Sequence, residues 1–259
     1  AASKLLIPVI HVEAGLRSFD RTMPEELNRI LTDHISDFLF TTEESANKNL
    51  KNEGINKDKV FFVGNVMIDS LLSHREKAKK SKILFKLNIK RNEYAVLTLH
   101  RPSNVDNKMS LEHVIGILDK IQQKIKVVFP IHPRTLKNTT KFKLDKQLKN
   151  QKNLIITEPL GYLDFLALMS NSRFVLTDSG GIQEETTVFG IPCITVRNST
   201  ERPITVEQGT NVLVSTDKSK IIEASNKLLK GINFKAKIPQ FWDGKAAKRI
   251  VDVILKDFN

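Results

Sequence analysis

The order of apolar and polar residues constrains this chain most. Short β-rich apolar runs alternate with longer stretches of helical period from one end to the other. Such alternation builds parallel sheets covered on both faces, because each crossover returns as a helix over the sheet. Strands are expected over 5–10, 38–41 and 60–64, then over 94–99, 126–131, 154–157, 174–177, 193–196 and 212–214. Between the first two, PEELNRILTDHI opens with Pro24 and the acids Glu25 and Glu26. It keeps Leu27, Ile30, Leu31 and Ile35 on one face, which predicts a helix.

A helical pattern from Val66 runs into the charged KAKKSK segment at 77–82, read as the crossing between two domains. The expected division is 1–72 and 73–244, with a last helix within 245–259 packing back on the first domain. Six strands with intervening helices make the second a complete doubly wound domain. Three strands fall short of an ordinary domain of roughly 100–150 residues. The first domain is therefore expected to be incomplete, with the natural N-terminus before Ala1.

Composition narrows the function. Hydrophobic residues are 40% and charged residues 27%, the usage of a soluble globular protein. No apolar run nears the roughly 20 residues that span a bilayer, and no secretory signal is visible. A cytoplasmic protein without membrane association is expected. The single cysteine, Cys193, lies in an apolar run and reads as a small core residue. The net charge of +12 would suit nucleic acid, but the lysines are scattered over polar faces without interleaved aromatics. A Lys-rich solvated surface, or attraction of an anionic small ligand, fits better, and no nucleic-acid partner is expected. Six histidines without metal-ligand spacing point to no metal.

Three strand ends carry groups that suit a nucleotide diphosphate. In TDSGGIQEE (177–185) two glycines fall where a strand becomes a helix. Backbone N–H groups and the helix dipole favour an anion there, Ser179 adds a hydroxyl donor, and Gly180 and Gly181 admit phosphate oxygens to the main chain. A carboxylate a turn further on could accept both hydroxyls of a ribose. A tight turn that needs glycine for packing alone explains an isolated S-G-G equally well. TLHRP and FPIHPR deliver His100, Arg101, His132 and Arg134 to the same end of the sheet, although each His taken singly is more often structural. In HVEAGLRSFDRTMPEE, Glu13 follows a strand end and Glu25 opens a helix. Paired carboxylates can divide acid and base roles, while plain helix N-terminal charge is the simpler account of Glu25 and Glu26.

HVEAGLRSFDRTMPEELNR (11–29), TLHRPSN (98–104), DSGGIQEE (178–185) and TERP (200–203) together resemble, in order and spacing, the non-hydrolysing UDP-N-acetylglucosamine 2-epimerases. The resemblance covers essentially the whole chain. It implies two Rossmann-like doubly wound parallel-sheet domains of the GT-B type with the site between them, and a homodimer. It also implies interconversion of UDP-GlcNAc and UDP-ManNAc for surface polysaccharide, with no metal or nicotinamide cofactor. Carried over by motif, Glu13 and Glu25 become acid/base or sugar-positioning carboxylates and His100 assists UDP departure and return. Ser179, Gly180 and Gly181 hold the diphosphate, Glu185 the ribose, and Arg101, His132 and Arg202 are diphosphate or substrate partners. The family's TERPE reads here Thr200-Glu-Arg-Pro-Ile204, and its GTRPE-like motif and a catalytic aspartate in a G-D motif should precede Ala1. A chain beginning at Ala1 is expected to bind UDP with impaired epimerisation. Alternatives are a hydrolysing epimerase releasing ManNAc and UDP, a GT-B glycosyltransferase, and a nucleotide-sugar binding module without catalysis.

Overall fold

The computed structural model describes residues 1–231 and 236–257. Two compact units emerge, one of residues 1–73, 199–208 and 237–259, the other of residues 74–198 and 209–236. Residues 199–208 and 237–244, which the sequence reading assigned to the second domain, thus belong to the first unit.

The first unit holds three parallel strands, β1 (Ile10–Ala14), β2 (Phe38–Thr41) and β3 (Val60–Phe62), side by side in that order. Residues 5–10 are not the expected strand. Ala2–Leu5 is a short 3₁₀ helix and Leu6 turns left-handed at φ 56°. Pro8, which has no N–H for a ladder, follows, and pairing with β2 begins only at Ile10. One face of this sheet, with Phe38 and Phe40, packs against Ile250 and its neighbours on the C-terminal helix Ala246–Asp257. Residues 258 and 259 of the expected helix lie outside the described residues. The opposite face, with Ala14 and Leu39, packs on Leu50 of the helix Glu44–Asn52. Asp69 caps the C-terminal helix from a distance, its carboxylate accepting the N–H groups of Ala246 and Ala247.

The second unit holds β4 (Tyr94–Thr98), β5 (Lys126–Pro130), β6 (Leu154–Thr157), β7 (Phe174–Thr177), β8 (Cys193–Thr195) and β9 (Asn211–Leu213). All pairs are parallel and the order is β6-β5-β4-β7-β8-β9. That order is the doubly wound arrangement, in which the chain leaves β4 for one side of the sheet and later crosses to β7 on the other. Alternation splits the strands cleanly. Ala95, Leu97, Val127, Phe129, Phe174 and Leu176 join the core built with the helices Lys108–Gln122 and Lys218–Leu229. Tyr94 faces the other way and donates its hydroxyl to the carbonyl of Leu168 in the helix Tyr162–Ser170. The α/β class with Rossmann-like parallel sheets is therefore as expected.

Gly64 shows how tightly the first unit closes. It sits at φ 92°, and a Cβ there would lie 2.1 Å from the carbonyl oxygen of Phe241. Gly116, in the helix Lys108–Gln122, has nothing within 4 Å of such an atom. In urea unfolding monitored by circular dichroism, G64A should destabilise by on the order of 3 kcal/mol through strain and backbone displacement. G116A should stabilise by about 0.5–1 kcal/mol through helix propensity.

Candidate active site

The switch point of the second sheet lies between β4 and β7, whose C-terminal ends are neighbours in register, Thr98 beside Thr177. Beyond Thr177 the chain enters Asp178 and Ser179 and then the helix Gly180–Phe189. Ser179 occupies the N-cap position, yet its hydroxyl makes no capping bond. Gly180 and Gly181 are the first helical residues, and a Cβ added at Gly181 would meet no atom within 4 Å. Packing therefore does not demand glycine at 181. Its bare backbone faces open space, which suits close approach of a ligand.

Asp178, fully buried, joins this helix start to the loop after β4. Its carboxylate accepts the backbone N–H groups of His100 and Arg101, the amide of Asn104 and Nδ1 of His100, the last at 3.0 Å. Burial pushes this acid up, but the bonds from His100 and Asn104 and from the Arg101 backbone outweigh it and hold it below the usual carboxylate range. Arg101 donates Nε–H to the carbonyl of Asp178. From the end of β5, His132 brings its ring to 5.7 Å from that of His100. His132 caps the helix Pro133–Lys141, its Nδ1 accepting the N–H of Arg134. Arg134 itself turns away, pairing with Asp106 on the surface. The structure thus gathers His100, Arg101, His132 and the Ser179–Gly181 turn, and leaves Arg134 out.

Glu185 lies on the same helix, buried, with the hydroxyl of Tyr162 donating to it at 3.3 Å. Burial raises its pKa to about 7, with Tyr162 pulling down and the neighbouring Glu184 adding to the rise. The Tyr162 hydroxyl is pushed up to about 12 by burial and by Glu185. The ring of His74 packs edge-on against that tyrosine.

In the first unit Glu13 is the anomaly. It adopts φ 67°, and the β1–β2 register shifts between Val12 and Ala14. A bulge with a non-glycine residue in the left-handed region re-aims a side chain at a cost, a pattern that gathers at functional sites. Arg202, leading the short helix Pro203–Glu207, reaches Glu13 at 3.7 Å and Glu201 at 3.3 Å. Glu25 is exposed on the first turn of the helix Pro24–Ile35. Its neighbour Glu26 is buried and structural, accepting the N–H groups of Ser18 and Phe19, the Ser18 hydroxyl and Arg29. Beneath β1, Asp33 is fully buried among His11, Arg17 and the N–H of Gly15, while Arg17 also grips Glu53 with two bonds. Burial would raise Asp33, but His11 and Arg17 hold it below the usual range.

Sequence reasoning did not single out Asp178, Asn104, Tyr162, Asp33 or Arg17. Asp178 lay inside a quoted motif, and an acid directly after an apolar strand was signal enough to ask for its donors. Tyr162 and Glu185 are 23 residues apart, and no local pattern joins them. Among the described residues no cluster of His, Cys, Asp and Glu could hold a metal ion. No described helix is long and apolar enough to cross a membrane.

A six-stranded doubly wound sheet with a glycine-opened helix and two histidines at its switch point defines an α/β protein of the kind that binds ligands at that point. Comparison with known proteins narrows the class. The family model for UDP-N-acetylglucosamine 2-epimerase matches residues 1–255, and the chain belongs to that family. It is 48% identical to the UDP-N-acetylglucosamine 2-epimerase of Methanocaldococcus jannaschii, over 98% of this chain and 70% of that protein. It is 39% identical to the UDP-2,3-diacetamido-2,3-dideoxy-D-glucuronate 2-epimerase of Pseudomonas aeruginosa, over 99% of this chain and 70% of that one. The crystal structure of the M. jannaschii enzyme in complex with UDP-GlcNAc and UDP superposes with a TM-score of 0.91 at 47% identity, covering 98% of this chain and 71% of that one.

The raised Glu185 acid has a measurable consequence. Its folded value of about 7 stands against an ordinary 4.5, so its contribution to stability is full below about 4.5 and is lost as pH rises through 7. E185Q should therefore raise stability at pH 8, by on the order of 3 kcal/mol, and leave it unchanged at pH 4. Thermal unfolding at the two pH values checks this.

Proposed function

We propose that this chain carries the nucleotide-holding and proton-transfer residues of a non-hydrolysing 2-epimerase that interconverts UDP-GlcNAc and UDP-ManNAc. The observation that carries the reading is the convergence of His100, Arg101 and His132 on the open, glycine-bearing start of the helix Gly180–Phe189. Cations, ring N–H groups and free backbone donors at a helix N-terminus are what a diphosphate requires. The UDP-bound relative with the same fold supports the ligand class. Ser179, Gly180 and Gly181 are assigned to the diphosphate. Glu185, beside Tyr162, is assigned to the ribose hydroxyls.

The chemistry follows from the substrate. A C2 proton next to an acetamido group is not acidic enough for simple removal, so its loss is coupled to departure of the C1 diphosphate. The C2–H pair forms the C1–C2 double bond of a 2-acetamidoglucal, the C1–O pair leaves with UDP, and return of UDP with protonation from the opposite face inverts C2. Such a path needs carboxylates for the carbon-bound proton and a donor for the leaving oxygen. Glu13 and Glu25 are assigned to the first task and His100 to the second. Glu13 has the strained, re-aimed backbone of a working residue, and Arg202 is assigned as its positioning partner rather than a diphosphate ligand. A cytoplasmic homodimer supplying ManNAc units to surface polysaccharide completes the reading. The sugar named for the P. aeruginosa relative shares UDP and a 2-acetamido group with UDP-GlcNAc, so the chemistry at C1 and C2 is common to both.

Proton NMR of the chain with UDP-GlcNAc in D2O tests this. UDP-ManNAc carrying deuterium at C2 is the expected product, and H100Q should slow its appearance by about 100-fold or more. Accumulation of free ManNAc would assign a hydrolysing enzyme. UDP binding with no exchange at C2 would reduce the chain to a nucleotide-sugar binding module.

A further inference from the structure

The two histidines at the switch point are held by opposite bonds. His100 presents Nδ1 to Asp178, and every other group on that carboxylate is a donor: the N–H of His100, the N–H of Arg101 and the amide of Asn104. A carboxylate so surrounded is an ionised acceptor, so Nδ1 of His100 carries a proton and donates it. His132 presents Nδ1 to a backbone N–H, that of Arg134 at 3.2 Å. A backbone N–H can only donate, so this Nδ1 carries a lone pair and the proton of the neutral ring sits on Nε2. Both Nδ1 atoms are thereby committed. What the rings leave for a ligand is Nε2 of His100, free to take up and release a proton, and Nε2–H of His132, which donates as long as the cap stands.

We propose that Asp178 is the positioning residue of this site: it holds His100 with Nδ1 protonated, so that Nε2 is the atom that exchanges a proton with the departing and returning diphosphate, while His132 stays a fixed donor. This rests on the reading given under Proposed function. In elimination the C1–O bond breaks with its electron pair going to the diphosphate oxygen. That oxygen takes the proton from Nε2 of the His100 imidazolium, the C2 proton passes to a carboxylate, and His100 is left neutral with Nδ1–H still on Asp178. Re-addition returns the diphosphate proton to Nε2 of His100, while C2 takes a proton from a second carboxylate on the opposite face of the ring. Asp178 itself, fully buried, touches no substrate and changes no bond.

Long-range proton–nitrogen NMR of the 259-residue chain with ¹⁵N-labelled histidine reads the tautomers directly, the two rings being assigned with H100Q and H132Q. The expected result at neutral ring charge is Nδ1–H for His100 and Nε2–H for His132. In D178N the His100 signals should move towards the Nε2–H form while those of His132 stay, and UDP affinity should change by less than about threefold. If the chain turns over UDP-GlcNAc, D178N should lower kcat about 100-fold with KM little changed. Added to H100Q it should cost nothing further. Wild-type His100 with an unprotonated Nδ1, a D178N chain whose His100 tautomer is unmoved, or losses that multiply in the double variant would each overturn the proposal. Should D178N fail to fold, the wild-type tautomers alone decide. Absence of turnover in the wild type would count against the epimerase reading, and the NMR result would still test the tautomers.

Discussion

The second unit depends on one buried carboxylate. A parallel sheet ends its strands in loops that have nowhere to place their backbone donors, and at the β4–β7 switch two such loops lie side by side. Asp178 accepts from His100 and Arg101 in the loop after β4 while standing at the end of β7, so one side chain closes both. Losing one partner of a buried, hydrogen-bonded charge costs on the order of 3–5 kcal/mol, and this charge has four donor groups. The ring of His100 and the guanidinium of Arg101 inherit their places from that network. The placement of these two side chains is a consequence of how the loop is tied down.

The first unit solves the same problem with Asp33. His11, two residues before Glu13, and Gly15, two after it, both bond to this buried acid. Asn49 takes the carbonyl of Gly15 from the other side. Glu13 is therefore bracketed, and its left-handed backbone is held by neighbours that cannot move independently. A strain of about 1–3 kcal/mol persists only where surroundings over-determine it, and these bonds supply that. In both units a buried aspartate collects a histidine Nδ1, one or two backbone N–H groups and a further amide or guanidinium donor at a strand end.

Most of the strands were legible because short apolar β-rich runs bounded by polar residues are a local signal, as in YAVLT, FVLT and LIIT. Residues 5–10 were misleading for a local reason as well. Leu5, Leu6 and Ile7 look like a strand, but a ladder needs a partner and donors, and Pro8 and the turn at Leu6 remove both. The site divides the same way. His100, Ser179 and Glu185 stand in short motifs and could be named. Arg202 could be named but not oriented, since its pairing with Glu13 joins residues far apart in the chain. Asp178 and Asp33 act partly through backbone N–H groups, which carry no letter in a sequence, and partly through side chains distant in the chain.

Glu185 stands at the other end of this scale. Where Asp178 and Asp33 are buried and surrounded by donors, Glu185 is buried with a single tyrosine hydroxyl and a second acid beside it, so desolvation prevails and the acid titrates near 7. Two buried acids serving structure alone would be expected to look alike, because selection for stability favours filling every acceptor. The helix Gly180–Phe189 carries both that high-pKa carboxylate and an N-cap hydroxyl not spent on its cap. The apolar core lies elsewhere, in Leu97, Phe129, Phe174 and the helices packed on them, so the acid's raised pKa is set locally, by its own desolvation and its neighbour Glu184.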